Sequence, residues 1–346
     1  MATRDIRSRK EDHVRIVKES NVQYDKSAGF ECIDFVHDSM PNFDFGKIDT
    51  SLYLFNRKIS APMLIDSMTG GYEGAEKINR TLAAAASHHN IPFSFGSMRA
   101  MIKNPKMAKT FNFRYLAPDI PIIGNIGIAN LPTTPIEQIE AVVKQLDLDA
   151  LYVHFNPLQE AVMLEGDRNF EGVDDSLAQL CDKLDVPIIA KETGAGISDT
   201  VAKRLSSLGV SMVNVSGAGG TSWSKVEYAR KGNVPGFEEW GIPTALSIAM
   251  CSKILPTIAS GGIRSGIDVA KSVALGAVLA GSAAPFLKAD NPAKVIEEWK
   301  LQLKTTMFLT NSPDIKRLSK ARLVITGRLS EQFYGLGIDH FYYSRR

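Results

Sequence analysis

Polar, small and cationic residues follow a series of short apolar segments along this chain. Arg99, His154 and Lys191 each come at or directly after the end of such a segment. Ordinary turns are rich in Gly, Ser, Thr and Asn for conformational reasons, but they do not require cations there. The pattern predicts a ligand site assembled from many segment ends. These ends are residues 67–71, 96–99, 125–127, 154–156, 191–193, 216–221, 260–264 and 281–282.

The last two segment ends are typical of a phosphate-binding site. Gly261 and Gly262 would let backbone N–H groups approach an anion, and the start of a following helix would add its dipole. With Gly281, they indicate a phosphate-bearing cofactor. The run 217–220 contains three glycines and could instead belong to a dinucleotide fingerprint. That alternative lacks the full glycine pattern, and residues 223–235 are not expected to form the regular helix it needs.

The segments that carry these residues alternate with stretches of helical spacing. Such alternation predicts parallel strands joined by crossover helices, with strands that are apolar on both faces. Eight strands close a (β/α)8 TIM barrel, whose active site lies at the C-terminal strand ends. A doubly wound open sheet would give similar local signals, but the strand count favours the barrel. The expected strands are 62–66, 92–95, 121–125, 151–155, 187–191, 212–215, 256–259 and 277–280.

Two of the intervening helices have readable start signals. Thr134 is expected to cap the helix that begins near Pro135, and Ser265 is expected to cap the helix that contains Asp268. The chain is interpreted as one domain: an N-terminal extension over 1–60 that acts as a substrate lid, a barrel core over 61–287, and a helical C-terminal extension over 288–346. Aromatic residues after Leu329 are expected to pack on the barrel or on a neighbouring subunit.

Composition narrows the class of protein. The 346 residues carry 40 basic and 38 acidic side chains, a net charge of +2 that favours neither a nucleic-acid nor a membrane surface. No apolar run reaches membrane-spanning length. The three cysteines show no metal-ligand spacing and suggest a reducing compartment, so a cytoplasmic protein is expected.

Several motifs together resemble the type 2, FMN-dependent isopentenyl diphosphate isomerases. They are Arg-Lys-Glu-Asp-His at 9–13, Ser-Met-Thr-Gly-Gly at 67–71, Gly-Ser-Met-Arg at 96–99, His-Phe-Asn-Pro-Leu-Gln-Glu at 154–160, Ser-Gly-Ala-Gly-Gly-Thr-Ser-Trp at 216–223, and the stretch 260–268. The resemblance covers about residues 9–287. Phe155 departs from it, where a smaller aliphatic residue is expected.

The resemblance implies that the protein moves a double bond between isopentenyl and dimethylallyl diphosphate, with reduced FMN, Mg²⁺ and no net redox change. It also implies NADPH as the reductant and a homo-oligomer, tetramer or octamer. A cation such as Lys191 near the flavin's N1/O2 edge would stabilise the anionic reduced ring. By the same resemblance, the FMN-binding residues are Ser67, Met68, Thr69, Ser97, Asn125, Lys191, Ser216, Thr221, Gly261, Gly262, Ala280 and Gly281.

The substrate site is also implied by the resemblance. It consists of Arg9, Lys10, His13, Ser97, Met98, Arg99, Asn156 and Gln159, with His154 and Gln159 as catalytic residues and Glu160 as the Mg²⁺ ligand. Without the resemblance, the pair Arg9 and Lys10 would be interpreted as a solvated charge cluster near a terminus. Since these residues lie far in sequence from the barrel, the N-terminal segment would have to fold over the site and exclude water.

The mechanism is a hypothesis at this point. No side chain is acidic enough to protonate an unactivated alkene easily, and no pair of candidate acids is evident at the segment ends. Reduced flavin near N5 is therefore expected to supply and accept the protons, while Gln159 orients the alkene or relays a proton.

Two alternatives remain open. An FMN-dependent α-hydroxy-acid oxidase or dehydrogenase shares the stretch 261–264, but it needs a histidine base after a late strand, and residues 215–220 contain none. A protein that stores flavin or binds phosphate without catalysis would have no use for Gln159 and Glu160 beside its cofactor.

Overall fold

The eight apolar segments form one closed barrel of parallel strands, as predicted. A computed structural model describes residues 2–231 and 234–346 of the chain. Each barrel strand pairs with its sequence neighbours, and the last pairs with the first, for example Leu64 with Gly281. The strands are Met63–Ile65, Phe93–Ser94, Ile122–Gly127, Ala150–Phe155, Ile188–Glu192, Met212–Asn214, Thr257–Ala259 and Leu279–Ser282.

A hairpin plugs one end of the barrel, so a ligand can enter only at the other end. The hairpin of Leu52–Leu54 and Arg57–Ile59 sends Leu54 and Ile59 against interior residues such as Ile123 and Tyr152. Ile59 is fully buried, and burial of such a side chain stabilises a fold by about 1.5–3 kcal/mol. The hairpin therefore closes the N-terminal end of the barrel, and a site must lie at the C-terminal strand ends.

Helices surround the barrel and bury one face each against it. The longer ones in the crossovers are Glu73–His88, Ile136–Leu146, Val173–Lys183, Asp199–Ser207, Thr244–Cys251, Gly266–Leu275 and Pro292–Leu309. The second crossover has only the short helix Arg99–Lys103 and two 3₁₀ segments, Pro105–Thr110 and Arg114–Leu116. None of the described helices combines the length and the apolar character that crossing a membrane requires.

The two predicted helix caps have different outcomes. Ser265 caps the helix Gly266–Leu275 and accepts a hydrogen bond from the Asp268 N–H at 3.0 Å, as predicted. Thr134 does not cap, and that prediction was wrong. The residue before Ile136 is Pro135, and the Thr134 hydroxyl donates to the Asn130 carbonyl at 2.7 Å instead. The preceding 3₁₀ turn thus takes the hydroxyl that would have capped the helix.

The C-terminal boundary expected at residue 287 divides the eighth barrel repeat. Helix Pro292–Leu309 packs between the helices Gly266–Leu275 and Glu73–His88, so it completes the outer ring. The later helices Ile315–Leu318, Gly327–Gly335 and Tyr342–Arg345 lie outside that ring.

The two ends of the chain are joined by a small antiparallel sheet. Strand Ile33–Phe35 pairs with Leu323–Ile325, which ties the segment before the barrel to the segment after it. The C-terminal aromatic residues divide into two groups. Phe333 and Tyr343 are buried on the protein, whereas Tyr334 is 83% exposed.

The N-terminal helix Ala2–Glu19 lies across the open end of the barrel. It packs against the helices Trp223–Lys231 and Ala284–Lys288, which both follow barrel strands. Ile16 and Val17 bury their side chains in a cluster with Val226. This docking brings residues near the start of the chain to the site predicted at the strand ends.

Candidate active site

A cavity of about 280 Å³ opens at the C-terminal strand ends beneath the N-terminal helix. Nearly all of the residues predicted for a site line it, including those from the first turns of the chain. They are Arg9, Lys10, His13, Ser67, Met68, Thr69, Ser97, Arg99, Asn125, His154, Asn156, Gln159, Glu160, Lys191, Ser216, Thr221, Gly261, Gly262 and Gly281. The structure thus gathers one set of groups from all eight barrel strand ends and the terminal helix.

Two predicted residues do not line this cavity. The Met98 side chain is fully buried behind the wall, with its Sδ–Cε end against Gly124, and only its backbone is near, where its N–H donates to the Asn125 carbonyl at 2.8 Å. Ala280 lies within the eighth barrel strand, and its N–H donates to the Pro62 carbonyl at 2.9 Å. Neither the Met98 side chain nor the Ala280 N–H is therefore available to a ligand.

Two glycine loops pack backbone against backbone on one wall of the cavity. Gly261 and Gly262 have φ values of +94° and +76°, which side chains rarely adopt. A Cβ atom on Gly262 would lie 2.6 Å from the Gly219 carbonyl oxygen. The Thr244 hydroxyl donates to the Gly261 carbonyl at 2.6 Å and holds the loop in place. This glycine wall, formed by Gly217, Gly220, Gly261 and Gly262, lines the cavity with backbone, and the close approach of the two loops leaves no room for a Cβ atom on Gly262.

A buried hydroxyl on the cavity wall has no partner. The Oγ1 atom of Thr69 is inaccessible to solvent and makes no hydrogen bond with the part of the chain that is described. A buried polar atom without a partner is unfavourable unless a ligand or water satisfies it. Thr69 lines the same cavity as Ser67, Asn125 and Lys191, whose side chains can hydrogen bond to a heterocyclic ring. With the glycine wall for a phosphate, these groups fit FMN.

Lys191 is held by a carboxylate that was not predicted as a site residue. Its Nζ lies 2.9 Å from Oδ2 of Asp66, and both side chains are buried. Burial opposes ionisation of Asp66, but the charge of Lys191 and hydrogen bonds from Lys191, Ser67 and Asn214 hold its pKa below the ordinary value. Asp66 closes the first apolar segment, so its position beside Ser67 was the available signal.

His154 is neutral in this site. Burial, and then the charges of Lys191 and Lys10, lower its pKa to about 3. Its Nδ1 lies 2.7 Å from Oδ1 of Asn125, which fits a neutral ring that donates from Nδ1. An anion bound nearby would offset the surrounding cations and raise this pKa.

Three cations from two distant segments crowd one side of the cavity. The Nζ of Lys10 donates to the carbonyls of Gly70 and Ser97, both at 2.7 Å. Burial lowers the Lys10 pKa to about 7, and the charges of Arg9 and Arg99 contribute. Burial also lowers the pKa of Arg99, again with Arg9. Like charges held this close are unfavourable by themselves, so the cluster is suited to bind an anion.

Gln159 is fixed by partners on either side. Its Nε2 donates to Oε1 of Glu227 at 2.8 Å, and its Oε1 accepts from Asn156 Nδ2 at 3.2 Å. His13 Nε2 also lies 2.8 Å from the same Glu227 oxygen, although the two are not aligned as a hydrogen bond. Arg230 Nε donates to Oε2 of Glu227 at 2.8 Å. The amide of Gln159 therefore has one defined orientation.

Glu227 is a site residue that sequence reasoning missed. Burial opposes its ionisation, but His13, Gln159 and Arg230 outweigh burial and lower the pKa of Glu227 to about 2. It lies on helix Trp223–Lys231. The expectation that residues 223–235 form no regular helix was wrong for these nine residues, because Gly232, Pro235 and Gly236 all follow them.

Glu160 is bonded within the chain and does not belong to a ready-made metal centre. Its Oε1 accepts from Asn156 Nδ2 at 3.0 Å, and its Oε2 accepts from the Asp167 N–H at 2.6 Å. Residues 2–231 and 234–346 hold no group of three or more His, Cys, Asp or Glu side chains that could bind a metal ion. A single carboxylate fits Mg²⁺ only if phosphate oxygens and water complete the shell.

Glu192 is a second buried carboxylate at a strand end. Burial raises its pKa to about 7, although the N–H groups of Ala195, Gly194 and Thr193 donate to it and oppose the shift. All three donate to the same oxygen, Oε2, at 2.5 Å. Glu192 therefore shapes the turn that carries Thr193 and Gly194 into the cavity wall.

The fold and the site define a class of protein, the FMN-binding TIM-barrel enzymes. A family model described as FMN-dependent dehydrogenase matches residues 163–325. Among solved structures, a mandelate oxidase is similar with a TM-score of 0.61 at 16% identity, over 92% of this chain and 98% of that one. A flavocytochrome b2 variant gives 0.66 at 16% identity, over 96% and 87%. At this identity the likeness concerns the fold alone.

Closer relatives identify the family. The isopentenyl-diphosphate delta-isomerase of Thermococcus onnurineus is 43% identical, over 92% of this chain and 91% of its own length. That of Methanothermobacter thermautotrophicus is 41% identical over 99% of both chains. That of Pyrococcus furiosus is 41% identical, over 93% of this chain and 88% of its own. The chain belongs to the isopentenyl-diphosphate delta-isomerase family, in its FMN-dependent form. The predicted resemblance is thereby confirmed.

Proposed function

We propose that this protein interconverts isopentenyl diphosphate and dimethylallyl diphosphate with reduced FMN and Mg²⁺ and without net redox change. The observation that supports this most is that one cavity contains both a glycine wall with Lys191 and a cation cluster of Arg9, Lys10 and Arg99. A flavin with its phosphate calls for the first set. A diphosphate, with its larger charge, calls for the second.

The cofactor would lie along the glycine wall. Thr69, Asn125, Ser216 and Thr221 would hydrogen bond to FMN, beside Ser67, Met68 and Ser97. Gly261, Gly262 and Gly281 would hold its phosphate, with the backbone around Ala280 as support rather than as a donor. Lys191 would offset negative charge at the N1/O2 edge of the ring. When bound in its reduced form, FMN would supply an electron-rich ring and a proton-exchanging centre at N5.

The substrate diphosphate would lie among the cations. Arg9, Lys10 and Arg99 would neutralise its charge, and His13, His154, Ser97 and Asn156 would add hydrogen bonds. Met98 would take part only through its backbone, since its side chain is buried. The N-terminal helix would act as a lid, because two of the three cations come from it. A closed lid excludes water from a developing carbocation.

Gln159 would act on the hydrocarbon part of the substrate. Its amide is held by Glu227 and Asn156, so it would orient the alkene or pass on a proton. Glu160 and the diphosphate would both bind Mg²⁺. The metal would have to displace one of the hydrogen bonds that Glu160 now accepts. Chelation with EDTA should therefore weaken substrate binding strongly and leave FMN binding nearly unchanged, because the glycine wall does not involve Glu160.

The test follows the product directly. Purified protein is incubated without oxygen with FMN, Mg²⁺ and isopentenyl diphosphate, with and without NADPH as reductant, and proton NMR monitors dimethylallyl diphosphate. Product only in the reduced sample, without stoichiometric oxidation of the flavin, is the expected result. Absence of product with bound, reduced FMN would reject the proposal. Lactate and glycolate with oxygen then test the oxidase alternative, which fold similarity alone does not support.

A homo-oligomer in the cytoplasm completes this proposal. Three free cysteines, Cys32, Cys181 and Cys251, suit a reducing compartment. Tyr334, Leu336 and Phe341 expose large apolar side chains near the C-terminus, which a neighbouring subunit would cover. Light scattering coupled to gel filtration should give the mass of a tetramer or octamer, and a monomer at micromolar concentration would reject it.

A further inference from the structure

The Asp66 carboxylate lies at the centre of a buried polar network at the cavity floor. Its Oδ2 accepts from Lys191 Nζ at 2.9 Å and from Asn214 Nδ2 at 3.1 Å. Its Oδ1 accepts from the backbone N–H of Ser67 at 2.8 Å. The carboxylate is 3% exposed, and Lys191 is 6% exposed. The lysine therefore has a buried countercharge before any flavin binds.

This countercharge is itself firmly held. Asn214 Nδ2 also donates to the Tyr152 hydroxyl at 3.0 Å, and the Ser260 hydroxyl donates to Asn214 Oδ1 at 2.6 Å. Asn214 is thus fixed from three sides and leaves Asp66 little freedom to rotate. A charge pair with this many buried hydrogen bonds has a defined geometry, which a surface pair lacks.

We propose that Asp66 is a positioning residue that fixes Lys191 Nζ and moderates its charge, and thereby sets how strongly the site prefers reduced over oxidised FMN. A bare lysine ammonium would stabilise the anionic reduced ring by its full charge at low dielectric. With Asp66 present, a flavin bound next to Lys191 would experience the electrostatic potential of the Lys191 cation, reduced by the opposite potential of the Asp66 anion behind it. Reduction is therefore easier than without Lys191 and harder than with Lys191 alone.

The inference rests on the proposed location of FMN beside Lys191. It goes beyond that proposal because Asp66 is assigned an effect on a property of the cofactor. An alternative role is purely structural, in which Asp66 only joins the first strand end to its neighbours. The two roles differ in what they require of residue 66: moderation requires a negative charge, whereas joining strands requires a side chain of the right size and shape.

Two substitutions separate charge from shape. Asp66→Asn keeps the shape and removes the charge, and Asp66→Glu keeps the charge and lengthens the side chain by one methylene. Tyr152→Phe is the matched control, because it removes a hydroxyl from the same network without changing charge. For each holoprotein, the dissociation constants of oxidised and reduced FMN are measured anaerobically by flavin absorbance, and the midpoint potential is measured by dye equilibration.

Wild-type binding of FMN comes first, since its absence would overturn the cofactor site and not the role of Asp66. If FMN binds, Asp66→Asn should favour reduced FMN by about tenfold, which is a rise of about 30 mV for a two-electron couple. Asp66→Glu should stay close to wild type in potential, and Tyr152→Phe, which removes a neutral hydroxyl beside Asp66, should not raise the potential as Asp66→Asn does. Equal potentials in all four proteins, or a change that follows side-chain length, would overturn the inference.

A further variant covers the case in which Asp66→Asn does not fold. Asn214→Ala removes one donor from Asp66 and leaves the lysine pair intact, so the carboxylate charge is less offset. The preference for reduced FMN should then fall several-fold. An unchanged or increased preference in Asn214→Ala would count against the moderating role.

Discussion

Gln159 and Glu227 come from different barrel crossovers and meet at 2.8 Å between the Gln159 Nε2 and the Glu227 Oε1. The carboxylate is ionised over the whole physiological range, because its partners lower its pKa to about 2. An ionised acceptor fixes the amide with its N–H toward Glu227 and its oxygen toward Asn156. The reactive orientation proposed for Gln159 thus depends on a residue 68 positions later.

Replacement of Glu227 by Gln should remove this fixed orientation. The substituted amide can present either its oxygen or its nitrogen to Gln159, so the Gln159 amide is free to turn over. We expect kcat to fall by about 10²-fold, the lower range for loss of a positioned acid–base group. FMN affinity should stay within about twofold of wild type, because helix Trp223–Lys231 does not include the glycine wall. Steady-state kinetics and flavin titration measure the two effects.

Tyr228→Phe is the matched control for this variant. Tyr228 follows Glu227 on the same helix and is 53% exposed. The kcat of Tyr228→Phe should match that of wild type. If kcat is unchanged in Glu227→Gln, the orientation that Glu227 imposes on Gln159 is not needed for catalysis.

Binding of the diphosphate should be accompanied by proton uptake. The Lys10 pKa is about 7 in the free protein, so at pH 8 the amine is mostly neutral. A diphosphate beside it would favour the charged form and raise the pKa again. Titration calorimetry at pH 8, in buffers of different ionisation enthalpy, should show uptake of nearly one proton per site.

Lys10→Met should abolish that uptake and weaken diphosphate binding. Removal of the exposed lysine at the end of helix Arg99–Lys103, in Lys103→Ala, should leave the uptake in place. Uptake that persists in Lys10→Met would assign the proton to another group, for which His154 is the nearest candidate.

The sequence was sufficient to predict the barrel and most of the cavity wall, for physical reasons. A strand buried on both faces must be continuously apolar, and the residue that ends it enters the site, so His154 and Lys191 stood out. Glu227 and Asp66 were not assigned to the site because their roles depend on long-range contacts. Nothing near Glu227 in sequence shows that His13, Gln159 and Arg230 converge on it.

Residue type alone also gave wrong predictions where a side chain had another hydrogen-bond partner or could pack in the core. Thr134 has the residue type of a helix cap, yet its hydroxyl donates to Asn130 in the preceding turn. Met98 lies inside a matching motif, but its side chain points into the core while its N–H donates to Asn125. In each case the residue type was predictive, and the direction of the side chain was decided by packing.

Glu192 should make the protein less stable as the pH rises from about 5 to 8. Its pKa is raised from 4.5 to about 7 in the folded state, so folding favours the protonated form. The stability from this group is fully present below pH 4.5 and is lost as the pH rises through about 7. The loss is on the order of 3 kcal/mol at pH 8, from the free energy of a pKa shift.

Glu192→Gln separates this group from the others that titrate. The amide oxygen can still accept from the N–H groups of residues 193–195, and the side chain carries no charge at any pH. Urea unfolding between pH 5 and pH 8 should therefore give a wild-type free energy of unfolding that falls relative to that of Glu192→Gln as the pH rises, because the titration of His154 and Lys10 is common to both proteins. A constant difference between the two free energies over this range would show that the three N–H donors keep Glu192 ionised.

Gly262→Ala should weaken FMN binding while the barrel stays folded. The new Cβ would lie 2.6 Å from the Gly219 carbonyl oxygen, and φ is +76° there, so the two glycine loops must separate. Strain at such a position costs about 1–3 kcal/mol, and displacement of the wall would remove the backbone donors proposed for the phosphate. Flavin titration should give an affinity at least tenfold weaker than wild type.

Gly335→Ala is the control, because a Cβ there meets no atom within 4 Å. Equal FMN affinity in Gly262→Ala and Gly335→Ala would place the phosphate away from this wall.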